Sequence, residues 1–259
     1  MSERTGAAPF RIERVAEVTS TMDAAHRAAR GGATEGLWVL ADRQTQGRGR
    51  RGRSWLAPEG ALTTTLLLRP LARRPELGPA AVATLSFIAA LSLRDALIAL
   101  GVGADIALKW PNDVLVGGGK IAGILLESEG AGGPPAKTHL AVGIGVNLAA
   151  APEAADLEPG AVAPTCVADH GVEATPEAAL ALLSDAFAPR YERWLSDGFV
   201  GQRAEWLAAA AGRGKTLEAK LGARTITGVF DDVDLDGALV LRTRSGVEKV
   251  LAADVQLGA

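Results

Sequence analysis

Apolar residues recur along the chain with two periods. Alternation from Phe10 to Val18, with Ile12 and Val15 on one side, predicts a short strand. Leu37–Ala41 and Ala61–Leu68 are the continuous runs expected of buried strands. Between Pro79 and Leu100, apolar positions at Val82, Leu85, Ile88, Ala89, Leu93 and Leu97 fall at helical spacing and predict one long core helix. Ala107–Val116 and Lys120–Glu127 flank Gly117, Gly118 and Gly119 and read as a hairpin, and Thr138–Asn147 reads as a further strand. Helices are expected over Pro176–Leu195 and Phe199–Ala211, split near Asp197-Gly198, with Trp194 and Trp206 as core anchors. From Gly214 onward the chain changes to short strands with turns at Leu221-Gly222, Asp236-Gly237 and Ser245-Gly246. That pattern predicts a β-barrel of about 45 residues appended to an α/β domain. The expected units are residues 10–212 and 213–259, with a surface turn over 130–135 and a loop without an assigned task over 149–164.

Composition narrows the class. The 259 residues are 48% hydrophobic and 22% charged, with a net charge of −3, which suits a globular core and supplies no broad basic footprint. Cys166 is the single cysteine, so no intramolecular disulfide forms, and a reducing cytoplasm is the expected location. His26, His139 and His170 are scattered without zinc-ligand spacing and read as surface or structural residues. The opening nine residues lack a signal-peptide core, and no uncharged apolar run approaches the length of a membrane span, so no membrane partner is expected.

The densest chemistry lies at Gln44–Trp55, where Arg48, Arg50, Arg51 and Arg53 alternate with Gly47, Gly49 and Gly52 before Trp55. Guanidinium groups grip phosphate or carboxylate oxygens in pairs, and glycines let the backbone bend around a ligand. A solvated basic loop, a nucleic-acid patch and a dinucleotide fingerprint are the competing readings. The last fails because Pro58 and Gly60 follow where a helix should start, and Ala72, Arg73 and Arg74 stand where an acid should. The loop is expected to be disordered when empty, because its charges lack partners, and to close on an anion. Upstream, Ser20 caps a helix with Asp23 three residues on, leaving hydroxyls and backbone N–H groups able to hold a polar head.

A second concentration spans Lys109-Trp110-Pro111-Asn112-Asp113 and Lys120 to Glu127. Only six of 27 basic residues are lysines, and Lys109 is the first of them; Asn112 and Asn147 are the only asparagines. Gly143 and Gly145 share one face of their strand and leave it bare, as where a flat ligand or a backbone approaches closely.

Taken in order, Gly-Arg-Gly-Arg-Arg-Gly-Arg-x-Trp, Lys-Trp-Pro-Asn-Asp, Gly-Lys-Ile-Ala-Gly-Ile-Leu-Leu-Glu and Gly-Ile-Gly-Val-Asn resemble the biotin–protein ligases over residues 10–258. The resemblance implies an α+β fold: a mixed β-sheet with packed helices, class II synthetase-like, plus a C-terminal SH3-like β-barrel. It implies activation of biotin by ATP to biotinyl-5′-AMP, then transfer to a lysine of a biotin carboxyl carrier domain. By resemblance the catalytic residues are Lys120, Arg48 and Arg50. Ser20, Thr21 and Gln44 bind the ureido end, with Met22, Gly47, Gly49 and Gly123 completing the biotin site. ATP falls to Arg50, Arg51, Arg53, Trp55, Lys109, Asn112, Lys120 and Asn147, and Asp113 helps place Mg²⁺ that rides mainly on ATP phosphates.

Two departures qualify the match. Met22 stands where the family often has asparagine, which bears on one ureido contact. Only nine residues precede the first strand, where some members carry a winged-helix domain, so a ligase that does not act on DNA is expected. The nearest alternative is a lipoate- or octanoate-handling ligase or transferase; a nucleic-acid-binding protein using the Arg-Gly loop is another. Homodimer formation is left open.

Overall fold

The computed structural model describes residues 10–257 apart from 104, 131–132, 135–136, 158–159 and 252, so part of the expected 130–135 turn lies outside the described residues. Seven strands form the main sheet: β1 (Arg11–Val18), β2 (Leu37–Gln44), β3 (Leu62–Leu68), β4 (Ile106–Lys109), β5 (Asp113–Val116), β6 (Gly119–Glu129) and β7 (His139–Val146). Their order is β1-β2-β3-β7-β6-β5-β4, with β1 parallel to β2 and every other pairing antiparallel.

Strand alternation sends side chains to two unequal cores. Trp38 and Leu40 of β2, Leu66 and Leu68 of β3, and Val142 and Ile144 of β7 join a large cluster under the helices. Leu37, Val39, Leu67 and Ala141 point the other way and meet Met22, Ala25 and Ala29 of α1 (Thr21–Arg30). The large core is covered by α4 (Leu85–Leu100), α5 (Pro176–Asp197) and α6 (Val200–Ala208), and Trp194 and Trp206 are buried in it as expected.

The long helix expected over Pro79–Leu100 is interrupted. Short α2 (Pro70–Arg73) is followed by α3 (Pro79–Ala83), and Thr84 separates α3 from α4. The Thr84 hydroxyl donates to the Ala81 carbonyl and accepts the Trp194 indole N–H at 2.9 Å, a side-chain claim on the backbone that breaks regular helix. Contrary to the expectation that no apolar run approaches the length of a membrane span, the whole stretch is long and apolar enough to cross one, yet 67% of its apolar window is buried inside the fold, which makes it a core element.

The Ala107–Val116 run also differs from expectation. It is two strands, β4 and β5, folded back on each other at Trp110-Pro111-Asn112, and the glycine turn then joins β5 to β6. Proline cannot supply a ladder N–H, so the run bends where Pro111 stands.

The remaining strands, β8 (Thr216–Leu221), β9 (Arg224–Val233), β10 (Leu239–Thr243), β11 (Gly246–Val250) and β12 (Asp254–Leu257), form an antiparallel sheet ordered β11-β10-β9-β8-β12. Its inner residues Leu217, Phe230, Leu241 and Val255 belong to the same large core as the first sheet. Trp110 donates its indole N–H to the Gly237 carbonyl at 3.0 Å, tying this sheet to the β4–β5 turn. That packing carries β12 to the mouth of the cavity described next.

Candidate active site

One cavity of about 620 Å³ opens on the α1 side of the main sheet. Its floor follows from strand period: Gly123, Gly143 and Gly145 lie on the face turned away from the large core. The bare glycine face anticipated from sequence is occupied by the protein's own side chains. A β-carbon on Gly145 would lie 2.4 Å from the Trp55 indole, and one on Gly143 would lie 2.6 Å from Met22 Sδ. Both glycines are therefore required by tryptophan and methionine side chains resting on the sheet.

Beside α1, the polar wall is a chain of neutral hydrogen bonds. Ser20 is the extended N-cap residue, and its Oγ accepts Met22 N–H at 3.2 Å, leaving the hydroxyl proton available. Thr65 Oγ1 donates to Thr21 Oγ1 at 2.8 Å, and Thr21 donates both its hydroxyl and its backbone N–H to Gln44 Oε1, at 3.1 and 2.8 Å. With that oxygen occupied, the Gln44 amide presents its amine as donor. Ser20, Thr21 and Thr65 are all buried. Thr65 was not singled out from sequence because the Thr63-Thr64-Thr65 run reads simply as strand; its neighbours Thr63 and Thr64 bond to backbone carbonyls instead.

The arginine loop leaves β2 and is closed by its own backbone: Gly49 N–H donates to Arg53 O at 2.7 Å and Trp55 N–H to Gly47 O at 2.9 Å. Arg51 adopts φ 58, ψ 32, a left-handed conformation uncommon for residues other than glycine, and one seen at functional turns. The expectation that the loop's charges lack partners is overturned. Arg48 bridges Asp23 at 2.9 Å and Glu127 at 3.0 Å, and its hydrogen bond to Glu127 raises its pKa above the usual arginine value. Arg51 and Arg53 reach Asp254 of β12 at 2.8 and 2.9 Å. Arg50 leans on Asn112 Oδ1 at 3.4 Å; burial, with Arg51 and Arg53 nearby, depresses its pKa despite Asp254.

Facing the loop is a lysine–aspartate cluster. Lys120 Nζ lies 2.7 Å from Asp113 Oδ1, and Lys109 Nζ lies 3.8 Å from Asp113 Oδ2. Lys109 is buried, and desolvation lowers its pKa against the pull of Asp113. Asp113 thus has both oxygens turned toward ammonium groups. The donor set does not fit a magnesium ion held by the protein, because the surrounding charge is already cationic. Lys120 Nζ also sits 5.7 Å from the centre of the Trp55 ring, within cation–π reach.

Two buried polar atoms in the cavity wall have no partner: Trp55 Nε1, a donor, and Asn147 Oδ1, an acceptor. The amide of Asn147 is fixed by donating to Thr165 O at 3.0 Å, so the orphan oxygen has a defined direction. Buried groups left this way are rare and point to a missing partner.

Most residues singled out from sequence line this one space; Gly47 and Arg51 do not. Gly47 lies beneath the Trp55 carbonyl, which a β-carbon would meet at 2.6 Å, and Arg51 is drawn to Asp254 at the rim. Sequence reasoning missed Asp23, Glu127, Asp254 and the wall formed by Pro152, Leu157, Val162 and Pro164. Glu127 was detectable, since it lies two and four residues beyond Leu125 and Gly123 on one strand face. Asp254 had no local signal. The 149–164 segment gains its place by pairing with β6: Lys120 N–H donates to Ala163 O at 2.7 Å and Thr165 N–H to Lys120 O at 3.0 Å.

The sheet with a helix-capped neutral pocket on one side and cations on the other defines a ligand-activating α+β domain, and the family follows from comparison. The family model described as biotin/lipoate A/B protein ligase matches residues 14–147, and that of the biotin protein ligase C-terminal domain matches residues 214–258. The chain is 48% identical over 229 residues to a biotin--[acetyl-CoA-carboxylase] ligase of Paracoccus denitrificans, covering 88% of this chain and 92% of that one. It is similar to a biotin protein ligase from Aquifex aeolicus in complex with biotin and ATP, with a TM-score of 0.78 and 25% identity over 95% of this chain and 99% of that one. A biotin protein ligase from Leishmania major in complex with biotinyl-5-AMP is similar at a TM-score of 0.60 and 26% identity, over 95% and 100% of the two chains. The chain belongs to the biotin/lipoate A/B protein ligase family.

Proposed function

We propose that this protein activates biotin with ATP and then biotinylates one lysine of a biotin carboxyl carrier domain. The observation that carries the reading is a single cavity joining a neutral hydrogen-bonding wall to a cluster of arginines and lysines. Besides Ser20 and Thr21 at the start of α1, the wall belongs to β2 and β3 and the lysines to β4 and β6, so β7 intervenes. From β2 to β6 is three strand spacings, about 14 Å at roughly 4.8 Å each. A molecule with a neutral polar head, an apolar body and an anionic tail fits that sequence of environments, and biotin has this form. Met22 and Gly143 line the middle.

In the first step a carboxylate oxygen of biotin attacks the α-phosphorus of ATP and diphosphate leaves with the electrons of the broken P–O bond. The reacting groups are both anions. Lys120, Arg48 and Arg50 offset their repulsion, and Lys109 and Arg53 meet the leaving diphosphate. Two unit charges 4 Å apart interact by about 4 kcal/mol at an effective dielectric near 20, which is an upper guide to what one well-placed ammonium supplies. Magnesium enters on the phosphates of the nucleotide substrate. Asn147 Oδ1 accepts from the adenine amine, and Trp55 covers the base. In the second step the carrier lysine, as free amine, attacks the acyl carbon and AMP departs; no enzyme nucleophile is required. Ser20 and Gln44 hold the ureido group throughout, with Thr21 and Thr65 keeping Gln44 in place.

The relative from Paracoccus denitrificans is named for acetyl-CoA carboxylase, and the carrier of that enzyme is our expected acceptor, in the cytoplasm. ATP–pyrophosphate exchange measured with biotin, lipoate and octanoate supplied separately tests the reading. Exchange with biotin alone supports it. Exchange driven by lipoate or octanoate moves the protein to the other branch of the family, and no exchange with any acid rejects acid activation.

A further inference from the structure

We propose that His26, His139 and Glu129 form a binding site for a borderline divalent transition cation of the Zn²⁺ or Co²⁺ class, separate from the cavity. The sequence reading treated the histidines as isolated, but the fold brings two of them together. His26 comes from α1, His139 begins β7 and Glu129 ends β6, directly opposite His139 in the strand register. Both imidazoles are buried, and His26 Nδ1 lies 2.9 Å from His139 Nε2. The Glu129 carboxylate faces both nitrogens, with Oε1 3.8 Å from His26 Nδ1 and Oε2 3.7 Å from His139 Nε2, and one ligand atom from each of the three residues lies within 4.8 Å of the others.

These distances have the scale of a coordination sphere. Zinc–nitrogen and zinc–oxygen bonds of roughly 2.0–2.1 Å at tetrahedral angles place donor atoms about 3.3–3.4 Å apart. The observed separations of 2.9 to 3.8 Å bracket that value. Two imidazole nitrogens and one carboxylate oxygen select this class of cation over magnesium or calcium, which prefer all-oxygen sets.

His26 turns its other nitrogen, Nε2, to within 3.5 Å of Glu127 Oε2. Such backing fixes the tautomer that presents a lone pair to a cation. With no cation, the two facing nitrogens share one proton as a hydrogen bond; a cation takes the place of that proton. Arg30 holds Glu129 at 2.7 Å. Glu129 is half-exposed, which leaves a route for the ion and room for water as fourth ligand. Glu127, which backs His26, also carries Arg48, so the site shares a carboxylate with the cavity wall.

The test uses untagged full-length protein, stripped with a chelator and titrated with Zn²⁺ by calorimetry and with Co²⁺ by visible absorption. One saturable equivalent is expected, with the intense visible bands of low-coordinate Co²⁺. H139Q and E129Q should each weaken binding by at least about tenfold, while the C166S/H170Q double variant should bind as the wild type does. E129Q leaves the buried imidazole pair intact, so it decides the matter even where H139Q fails to fold. Absence of a saturable equivalent, or undiminished binding in E129Q, would show a hydrogen-bonded histidine pair only and overturn the proposal. Neither readout depends on biotin or ATP.

Discussion

At one side of the cavity, Thr65, Thr21 and Gln44 are locked by neutral hydrogen bonds among buried and part-buried groups; at the other, each arginine of the loop rests on a partly exposed carboxylate or amide. The first arrangement is costly to disturb, because an unmade buried hydrogen bond leaves a desolvated donor or acceptor. The second exchanges partners cheaply, since exposed ion pairs contribute roughly 0–1 kcal/mol each. A pocket for a fixed neutral head can be built in advance. A site for phosphates that must arrive, react and leave is better served by carboxylates standing where the anions will go. On the function proposed above, Asp23, Glu127 and Asp254 would give up Arg48, Arg51 and Arg53 to those anions.

The contrast can be broken at several points. Lys120→Ala should cost the most, on the order of 10²–10³ in the rate of adenylation measured by pyrophosphate exchange, as expected for losing one preorganised charge. Retention of near-normal exchange would remove Lys120 from the chemistry. Thr65→Val should raise KM for biotin about tenfold with kcat nearly unchanged, because Thr21 loses the donor that orients its hydroxyl toward Gln44 while the cationic side is untouched. A fall in kcat alone would show that the two sides are not separable.

Lys109→Met sharpens the comparison through stability. Burial lowers the Lys109 pKa, so its charged form destabilises the folded state at neutral pH. That penalty is complete below the depressed folded value, fades as pH rises toward the unfolded value near 10.4, and is gone above it. The variant should therefore melt a few degrees higher at pH 7 (about 2–4 °C per kcal/mol for a chain of this size). The gain should shrink as pH rises through that window, and pyrophosphate exchange should weaken. No change in melting temperature would mean that Asp113 compensates the charge in full. The smallest effect is expected for Asp254→Asn, which loosens Arg51 and Arg53. Trypsin should cut the free loop a few-fold faster, while protein with biotin and ATP should resist as the wild type does, since exposed pairs are weak. Equal cutting of both free proteins would show that Asp254 does not hold the loop.

Much of this was legible along the chain. The strand β7, the split at Gly198 and the turns of the second sheet follow from local apolar spacing and from glycine at bends. The cavity-lining residues Lys109, Asn112 and Lys120 stood out because lysine and asparagine are scarce here. What was not legible is who faces whom. Thr84 breaks a helix because Trp194, 110 residues on, bonds its hydroxyl. The glycine face of β7 was read correctly as a place of close approach, but the visitors are Met22 and Trp55.

The sequence alone determined the order of elements, the arginine loop and the motif set that marks the family, because these depend on residues adjacent in the chain. Only the tertiary structure decided that Asp254 meets the arginines, that Thr65 bonds Thr21, and that His26 and His139 touch. Those pairings join residues far apart in sequence. They are set by how sheet register and core burial bring distant strands and helices together, information that no local pattern carries.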